Sequence, residues 1–235
     1  MHTFIKSLFF SAALLCCFLG FSQDEISQDS IVDAKYREDQ FYIGVNYNIV
    51  TDVPSGVKTR GLSGGIHFGY VRDMPINKRR NVAIAVGAGL ALDQYGQTLF
   101  IGEDANENSI FRVLDSEVDF DQNRFSTATL EVPIQFRWRT STASSYKFWR
   151  IYGGVRVGYT YWYKSTFKQP GNNVGQTDIP EFDNLRFSAT LSFGYNTFNF
   201  FASYSINPFF KDATTEEGAQ VDFKSVKLGL IFYIL

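Results

Sequence analysis

Val226-Lys227-Leu228-Gly229-Leu230-Ile231-Phe232-Tyr233-Ile234-Leu235, the last ten residues of the 235-residue chain, decide the fold. Val226, Leu228, Leu230, Phe232 and Ile234 fall on one face of an extended segment. Ser225, Lys227, Gly229, Ile231 and Tyr233 fall on the other. A period of two with one strongly apolar face marks a β-strand. The alternation is still running where the sequence ends. An open apolar edge invites pairing with other chains, whereas in a closed barrel the last strand pairs with the first and no edge remains. The segment therefore predicts the closing strand of a barrel, and the competing expectation is an ordinary strand of a soluble sandwich.

The same alternation recurs upstream. Phe41, Ile43, Val45, Tyr47 and Ile49 oppose Tyr42, Gly44, Asn46 and Asn48. Leu62, Ile66, Phe68 and Tyr70 oppose Ser63, Gly65, His67 and Gly69. Val82, Ile84, Val86, Leu90 and Leu92 oppose Ala83, Ala85, Gly87, Gly89, Ala91 and Asp93. Small residues on one face suit the crowded inside of a narrow barrel. Leu130, Val132, Ile134, Phe136 and Trp138 oppose Glu131, Pro133, Gln135, Arg137 and Arg139, and Pro133 predicts a bulge or irregularity because it cannot donate to the ladder. A fifth strand runs over residues 148–163, with Tyr159, Tyr161 and Tyr163 on its apolar side. Leu185 to Tyr195 and Phe200 to Ile206 supply two more before the closing strand.

About eight strands of roughly ten residues are long enough to cross a bilayer when tilted. The connections over 51–61, 94–123, 164–184 and 208–220 are long and polar; those over 72–81, 140–147 and 197–199 are short. That alternation of length, with polar residues on the inward face, predicts an all-β, antiparallel, up-and-down transmembrane barrel with short periplasmic turns, longer external loops and both mature termini in the periplasm. The 24 Phe, 13 Tyr and 19 Gly fit such a wall, and no stretch after the leader is apolar enough for a membrane helix.

Residues 1–23 have the anatomy of a secretory signal peptide: Lys6, an apolar run over 8–21, then Ser22-Gln23 before Asp24. Cys16 and Cys17 lie inside the run, so a chain cut after Gln23 has no cysteine and no disulfide. Residues 24–40 are polar and read as a flexible periplasmic segment, with the barrel over 41–235. The net charge of −2 points away from nucleic acid. The expected surroundings are outer-membrane lipid and lipopolysaccharide, with the barrel-assembly machinery met during insertion.

Asp93, Glu131, Arg137, Arg139, Arg150, Arg156, Arg186 and Lys227 fall on the inward face. An eight-strand barrel is just wide enough to be filled by side chains, so these charges are expected to pair as a lumenal polar network. Chemistry has little to work with. His67 is the one histidine after residue 23, on the lumenal side near Ser63; there is no nucleophile elbow and no pair of metal-spaced histidines. Asp115, Glu117, Asp119 and Asp121 alternate along a possible strand extension but lack the spacing of a calcium loop. No catalytic, cofactor or metal residue is predicted.

Two resemblances add to this reading. Lys227, Gly229, Phe232 and Ile234 resemble the C-terminal targeting signal of bacterial outer-membrane barrels. Arg72-Asp73-Met74-Pro75-Ile76-Asn77 with Arg79-Arg80-Asn81, Leu130-Glu131-Val132-Pro133-Ile134, Phe136-Arg137-Trp138-Arg139 and Phe148-Trp149-Arg150-Ile151-Tyr152-Gly153 resemble the PorT family of Bacteroidetes outer-membrane proteins. That resemblance implies a non-catalytic accessory component of type IX protein secretion, linked in gliding bacteria to delivery of surface adhesins and in contact with other secretion proteins. A filled lumen rules out a conducting role for so small a barrel. Contact would then fall to the loops, the 24–40 segment, the lipid-facing aromatics or the basic turn Lys78, Arg79 and Arg80. The alternative is an independent structural or adhesive barrel, with a lipid-modifying enzyme further behind.

Overall fold

The computed structural model describes residues 39–104, 108–115, 117–141 and 147–234. The expected signal peptide with Cys16 and Cys17, and all of the 24–40 segment but its last two residues, lie outside them. Among the described residues there are eleven strands: β1 (Gln40–Thr51), β2 (Gly64–Pro75), β3 (Val82–Gly96), β4 (Leu99–Glu103), β5 (Ser109–Val113), β6 (Gln122–Arg139), β7 (Trp149–Gln169), β8 (Asn172–Gln176), β9 (Leu185–Tyr195), β10 (Phe198–Ser205) and β11 (Lys224–Ile234). Eight of them close on themselves in the order β6-β3-β2-β1-β11-β10-β9-β7, with β7 paired back to β6. β4 and β5 form a separate hairpin, and β8 extends the sheet beside the far end of β7.

Closure is made by β1 and β11, paired from Phe41↔Ile234 to Thr51↔Lys224. With this seam formed, every barrel strand has two neighbours and no polar backbone edge faces lipid. Burial alternates along each strand as the period of two requires: Phe41, Ile43, Val45 and Tyr47 point out, while Tyr42, Asn46 and Asn48 point in. Aromatic side chains gather outside near the short-turn end, where Phe41 meets Tyr70 at 5.0 Å and Trp149 stacks on Phe193 at 5.5 Å. Such rings belong at a membrane interface.

Gln40, Ile234, the turns over 76–81 and 196–197, and residues 140–141 and 147–148 lie at one end. The described residues of the segments over 52–63, 97–121, 170–184 and 206–223 lie at the other. The short turns close on left-handed residues, Arg80 (φ 57°) and Asn196 (φ 54°). The long segments differ from the expectation of solvated polar loops. Tyr95, Leu99, Ile101, Phe111, Phe125, Ile179, Phe182, Phe209, Phe210, Val221 and Phe223 pack into one buried cluster over the barrel mouth. Tyr163 and Phe182 lie 4.0 Å apart and Phe125 and Phe210 5.5 Å, and the neighbouring contacts are tilted or edge-on as ring quadrupoles favour. The long segments thus form an ordered aromatic lid.

Two local expectations need correcting. The chain over 94–123 folds partly into the β4–β5 hairpin, and much of 164–184 continues β7 or forms β8. Residues 72–75 belong to β2 and not to a turn. The irregularity expected at Pro133 is present as a gap in the ladder and not as a bulge: β3 and β6 keep one register from Val86↔Ile134 to Gly89↔Glu131, but the pairs that would join Gly87 to Pro133 and Ala88 to Val132 are missing. The register of β6 against β7 shifts instead between Ala128 and Thr129, which face Trp162 and Thr160 and leave Tyr161 unmatched. One extra residue reverses the facing of all that follow. Trp162 is therefore exposed, and Tyr163 turns into the lid instead of toward lipid.

Gly229 sits in the closing seam opposite Asn46. A Cβ there would collide with the Val45 carbonyl oxygen and lie 2.7 Å from the Asn46 Cα, both backbone atoms that cannot swing away. Gly229→Val is expected to block closure. The check is heat-modifiable gel migration after refolding into vesicles: the native chain yields a compact band and the variant only the unfolded one.

Candidate functional site

The lumen is built from the inward faces of the eight barrel strands, and its charges fall into tiers. Nearest the short turns, β2 presents Asp73 to Arg137 and Arg139 on β6. Arg139 donates to both Asp73 oxygens at 2.9 and 2.8 Å, Arg137 reaches the same carboxylate at 3.4 Å, and all three side chains are fully buried. The fork-on-carboxylate geometry is the strong form of such a contact. Arg139 also donates to the Arg80 carbonyl at 3.0 Å, which ties the basic turn to the lattice. The Asp73 N–H donates to the Asp39 carboxylate at 2.8 Å. Arg137 lies 4.4 Å from the Tyr152 ring centroid, and Arg150 lies 4.4 Å from that of Phe148.

The middle tier pairs Arg156 with Glu131 at 2.8 Å, and Arg156 rests 4.9 Å from the Phe201 ring. His67 is buried here, bonded through Nδ1 to Asn46 Oδ1 at 3.1 Å and packed 4.6 Å from Phe201. Toward the long-loop end Lys227 meets Asp93 at 2.5 Å, and Asp93 also accepts from Asn48 at 3.1 Å. Arg186 donates to the carbonyls of Pro208, at 2.8 Å, and Asp183, at 2.5 Å, under the lid, with the Phe209 ring 4.6 Å away. A cavity of about 20 Å³ between Asp93, Glu131, Arg186 and Lys227 has room for about one water. Two further apolar residues, Val71 and Ile231, help fill the short-turn half with Tyr42, Tyr152, Phe201 and Tyr233.

Asp93, Glu131, Arg137, Arg139, Arg150, Arg156, Arg186 and Lys227 thus all face the lumen, arranged in tiers, with Asn46 bonded both to His67 of the middle tier and to Asp93. Lys78 and Arg79 are exposed at the opposite end from the lid, and Arg80 is half-buried beside them. In the C-terminal pattern Lys227 and Gly229 point inward, while Phe232 and Ile234 point outward. Asp115, Glu117, Asp119 and Asp121 are exposed and not in a strand. Among the described residues no group of three or more His, Cys, Asp or Glu is placed to hold a metal ion.

Asp73, the carboxylate on which two guanidiniums depend, is absent from the lumenal residues expected from the sequence. The signal was present, since the period of β2 carries inward from His67 and Val71 to residue 73. The lid was missed too, although Phe209-Phe210 stand in the segment read as polar and Phe223 just beyond it.

Loops are joined to one another outside the membrane span. Asp183 accepts from Lys211 at 2.9 Å and from the Leu185 N–H at 3.0 Å, and Arg112 forms a two-armed pair with Glu216. Burial pushes the Asp183 carboxyl up, but Lys211, the Leu185 N–H and Arg186 outweigh it and hold it below the usual carboxylate range. The Arg112 guanidinium lowers Glu216 likewise.

A closed barrel of eight antiparallel strands, apolar outside and filled inside by paired charges, is a small outer-membrane-type β-barrel. Residues 21–211 match the outer membrane protein beta-barrel domain, and the chain belongs to that family of outer-membrane barrels. Among solved structures, similarity is found to Ail, the attachment invasion locus protein of Yersinia pestis. The Ail crystal structure is 17% identical over 83% of this chain and 96% of that one, with a TM-score of 0.39. Its complex with the heparin analogue sucrose octasulfate is 16% identical over 84% and 99%, with a TM-score of 0.37. No curated protein matches the chain.

Replacing Asp73 by Ala removes the carboxylate from two buried guanidiniums and is expected to cost about 3–5 kcal/mol. Urea unfolding of the vesicle-inserted barrel, read by tryptophan fluorescence, measures this. The depressed Asp183 pKa has the opposite reach. Its contribution is complete above the carboxyl's unfolded pKa and is lost as pH falls through the lower folded value. Protease cleavage within 170–184 and 206–223 should rise on acidification below the carboxylate range, and Asp183→Asn should cleave readily already at neutral pH.

Proposed function

We propose that this outer-membrane barrel is a non-catalytic, non-conducting accessory component of the type IX protein secretion system, acting by docking or assembly. The observation that carries the reading is the filled lumen. Tiers of buried ion pairs lie beneath a packed aromatic lid, and the space left between Asp93, Glu131, Arg186 and Lys227 is about one water in size. A barrel with no passage for a peptide can serve secretion only through its surfaces. The choice of secretion system comes from the PorT-like runs within residues 72–81, 130–139 and 148–153.

In this reading the short turns and both mature termini face the periplasm, and the lid faces outward. Lys78, Arg79 and Arg80 form a basic docking turn for other secretion components, held to the lumen lattice through the Arg80 carbonyl. Lipopolysaccharide and lipid surround the wall, and the barrel-assembly machinery inserts it. A second reading, an independent adhesive barrel, is favoured by one observation. The long segments are folded on a core of their own, so they present a rigid surface that could bind without a further ordering cost.

Comparing the secreted and surface proteomes of the native bacterium with those of a clean deletion separates the two. Loss of a whole class of secreted proteins, retained in the periplasm while other barrels insert normally, is the expected result. An unchanged secretome leaves the adhesive barrel. Reversing charge at Lys78, Arg79 and Arg80 should reproduce the deletion with normal insertion; unchanged secretion removes that turn from the interface.

A further inference from the structure

We propose that the outer wall near the lid carries a binding site for a membrane lipid with a phosphate-bearing headgroup. Two hollows adjoin there. The first, of about 550 Å³, lies on the lipid-facing side of β2, β3 and β6, walled by Leu62, Ile66, Leu92 and Trp162, all exposed; Asp93 also lines it, but its charge is matched by Lys227. The second, of about 240 Å³, lies toward the loops and is lined by Arg60 and Arg124. Leu62 and Gln94 line both, so the apolar hollow runs into the cationic one.

Outward apolar residues are ordinary on a barrel, but a concave apolar wall ending in two guanidiniums is not. Trp162 stands on this wall only because the β6–β7 bulge turns it outward. Arg124 donates to Gln94 at 3.0 Å, and its Nε is buried with no partner. Arg60 lies 4.1 Å from the Phe120 ring. Among the described residues neither arginine is paired with a carboxylate, although Asp121 also lines the hollow, and the lining keeps one net positive charge.

A soluble anion would use only the cationic hollow and a neutral lipid only the apolar one. An acyl chain along Leu62, Ile66, Leu92 and Trp162 with a phosphate between Arg60 and Arg124 uses both. Guanidiniums suit phosphate through charge-assisted, two-pronged hydrogen bonds. The site also lies where the apolar wall gives way to the polar loops, as an amphipathic occupant requires.

The test is native mass spectrometry of the full barrel folded in uncharged detergent, titrated with a bisphosphorylated lipid A-type glycolipid, with phosphatidylcholine and with inorganic phosphate. The glycolipid should bind selectively. The Arg60→Gln/Arg124→Gln variant should weaken it by about tenfold, as loss of two such contacts implies, and leave phosphatidylcholine unchanged. A Lys78→Gln/Lys147→Gln variant, equal in charge removed but at the far end of the barrel, should bind as the native barrel does. Trp162→Ala, which keeps both arginines, should also weaken the glycolipid and provides the reading if the double variant fails to fold. Equal binding of both lipids, native affinity in the arginine and Trp162 variants, equal loss in the lysine control, or displacement of the glycolipid by inorganic phosphate would each overturn the proposal.

Discussion

The β1–β11 seam is the constraint on which the rest depends. In hydrocarbon a backbone N–H or C=O without a partner costs several kcal/mol, so a sheet can cross a membrane only if its first and last strands pair. Here that pairing runs the length of β1, from Phe41 to Thr51, and requires the bare Cα of Gly229 beside the Val45 carbonyl. Once the sheet closes, inside and outside are defined for every residue of all eight strands. Apolar side chains go to lipid and the alternate positions to a narrow interior.

That interior explains the charge tiers. Six cations, Arg137, Arg139, Arg150, Arg156, Arg186 and Lys227, share a lumen with the carboxylates of Asp73, Asp93 and Glu131. Carboxylates alone do not match them. The difference is made up by ring faces, as for Arg150 over Phe148, and by carbonyl oxygens, as for Arg186 at Pro208 and Asp183. Rings separate and cover the polar tiers, with Tyr152 and Tyr233 packed against Arg137 and Arg150 on the inward side of the Asp73 tier and the lid at the other mouth. Water is kept from the ion pairs, which strengthens them and also makes their disruption costly. Surfaces at the two ends and along the wall are what remain for recognition.

Most of the barrel was legible because it rests on a local rule. Alternation in Phe41–Tyr47, Val82–Leu92, Leu130–Trp138 and Val226–Ile234 states which side chains point in, and the lumenal facing of Arg137, Arg156 and Lys227 follows by counting. Counting fails where the period is broken. The bulge opposite Ala128 and Thr129 has no marker in the residues around it, whereas Pro133 interrupts the ladder to β3, as a residue without an N–H must, yet leaves the register unchanged.

The amino-acid sequence by itself determined the number of crossing strands, the alternation of long and short connections, the inward charges and the closing strand, since each follows from spacing along one segment. Tertiary structure alone decided which charges meet. Asp73 and Arg139 are far apart in the chain and become partners only because β2, β3 and β6 lie side by side. It also decided that Phe111, Phe182, Phe209, Phe210 and Phe223, scattered over three connections, form one lid, and that Trp162 faces lipid beside Leu92. Such contacts depend on register and closure, which are properties of the whole sheet and not of any strand read alone.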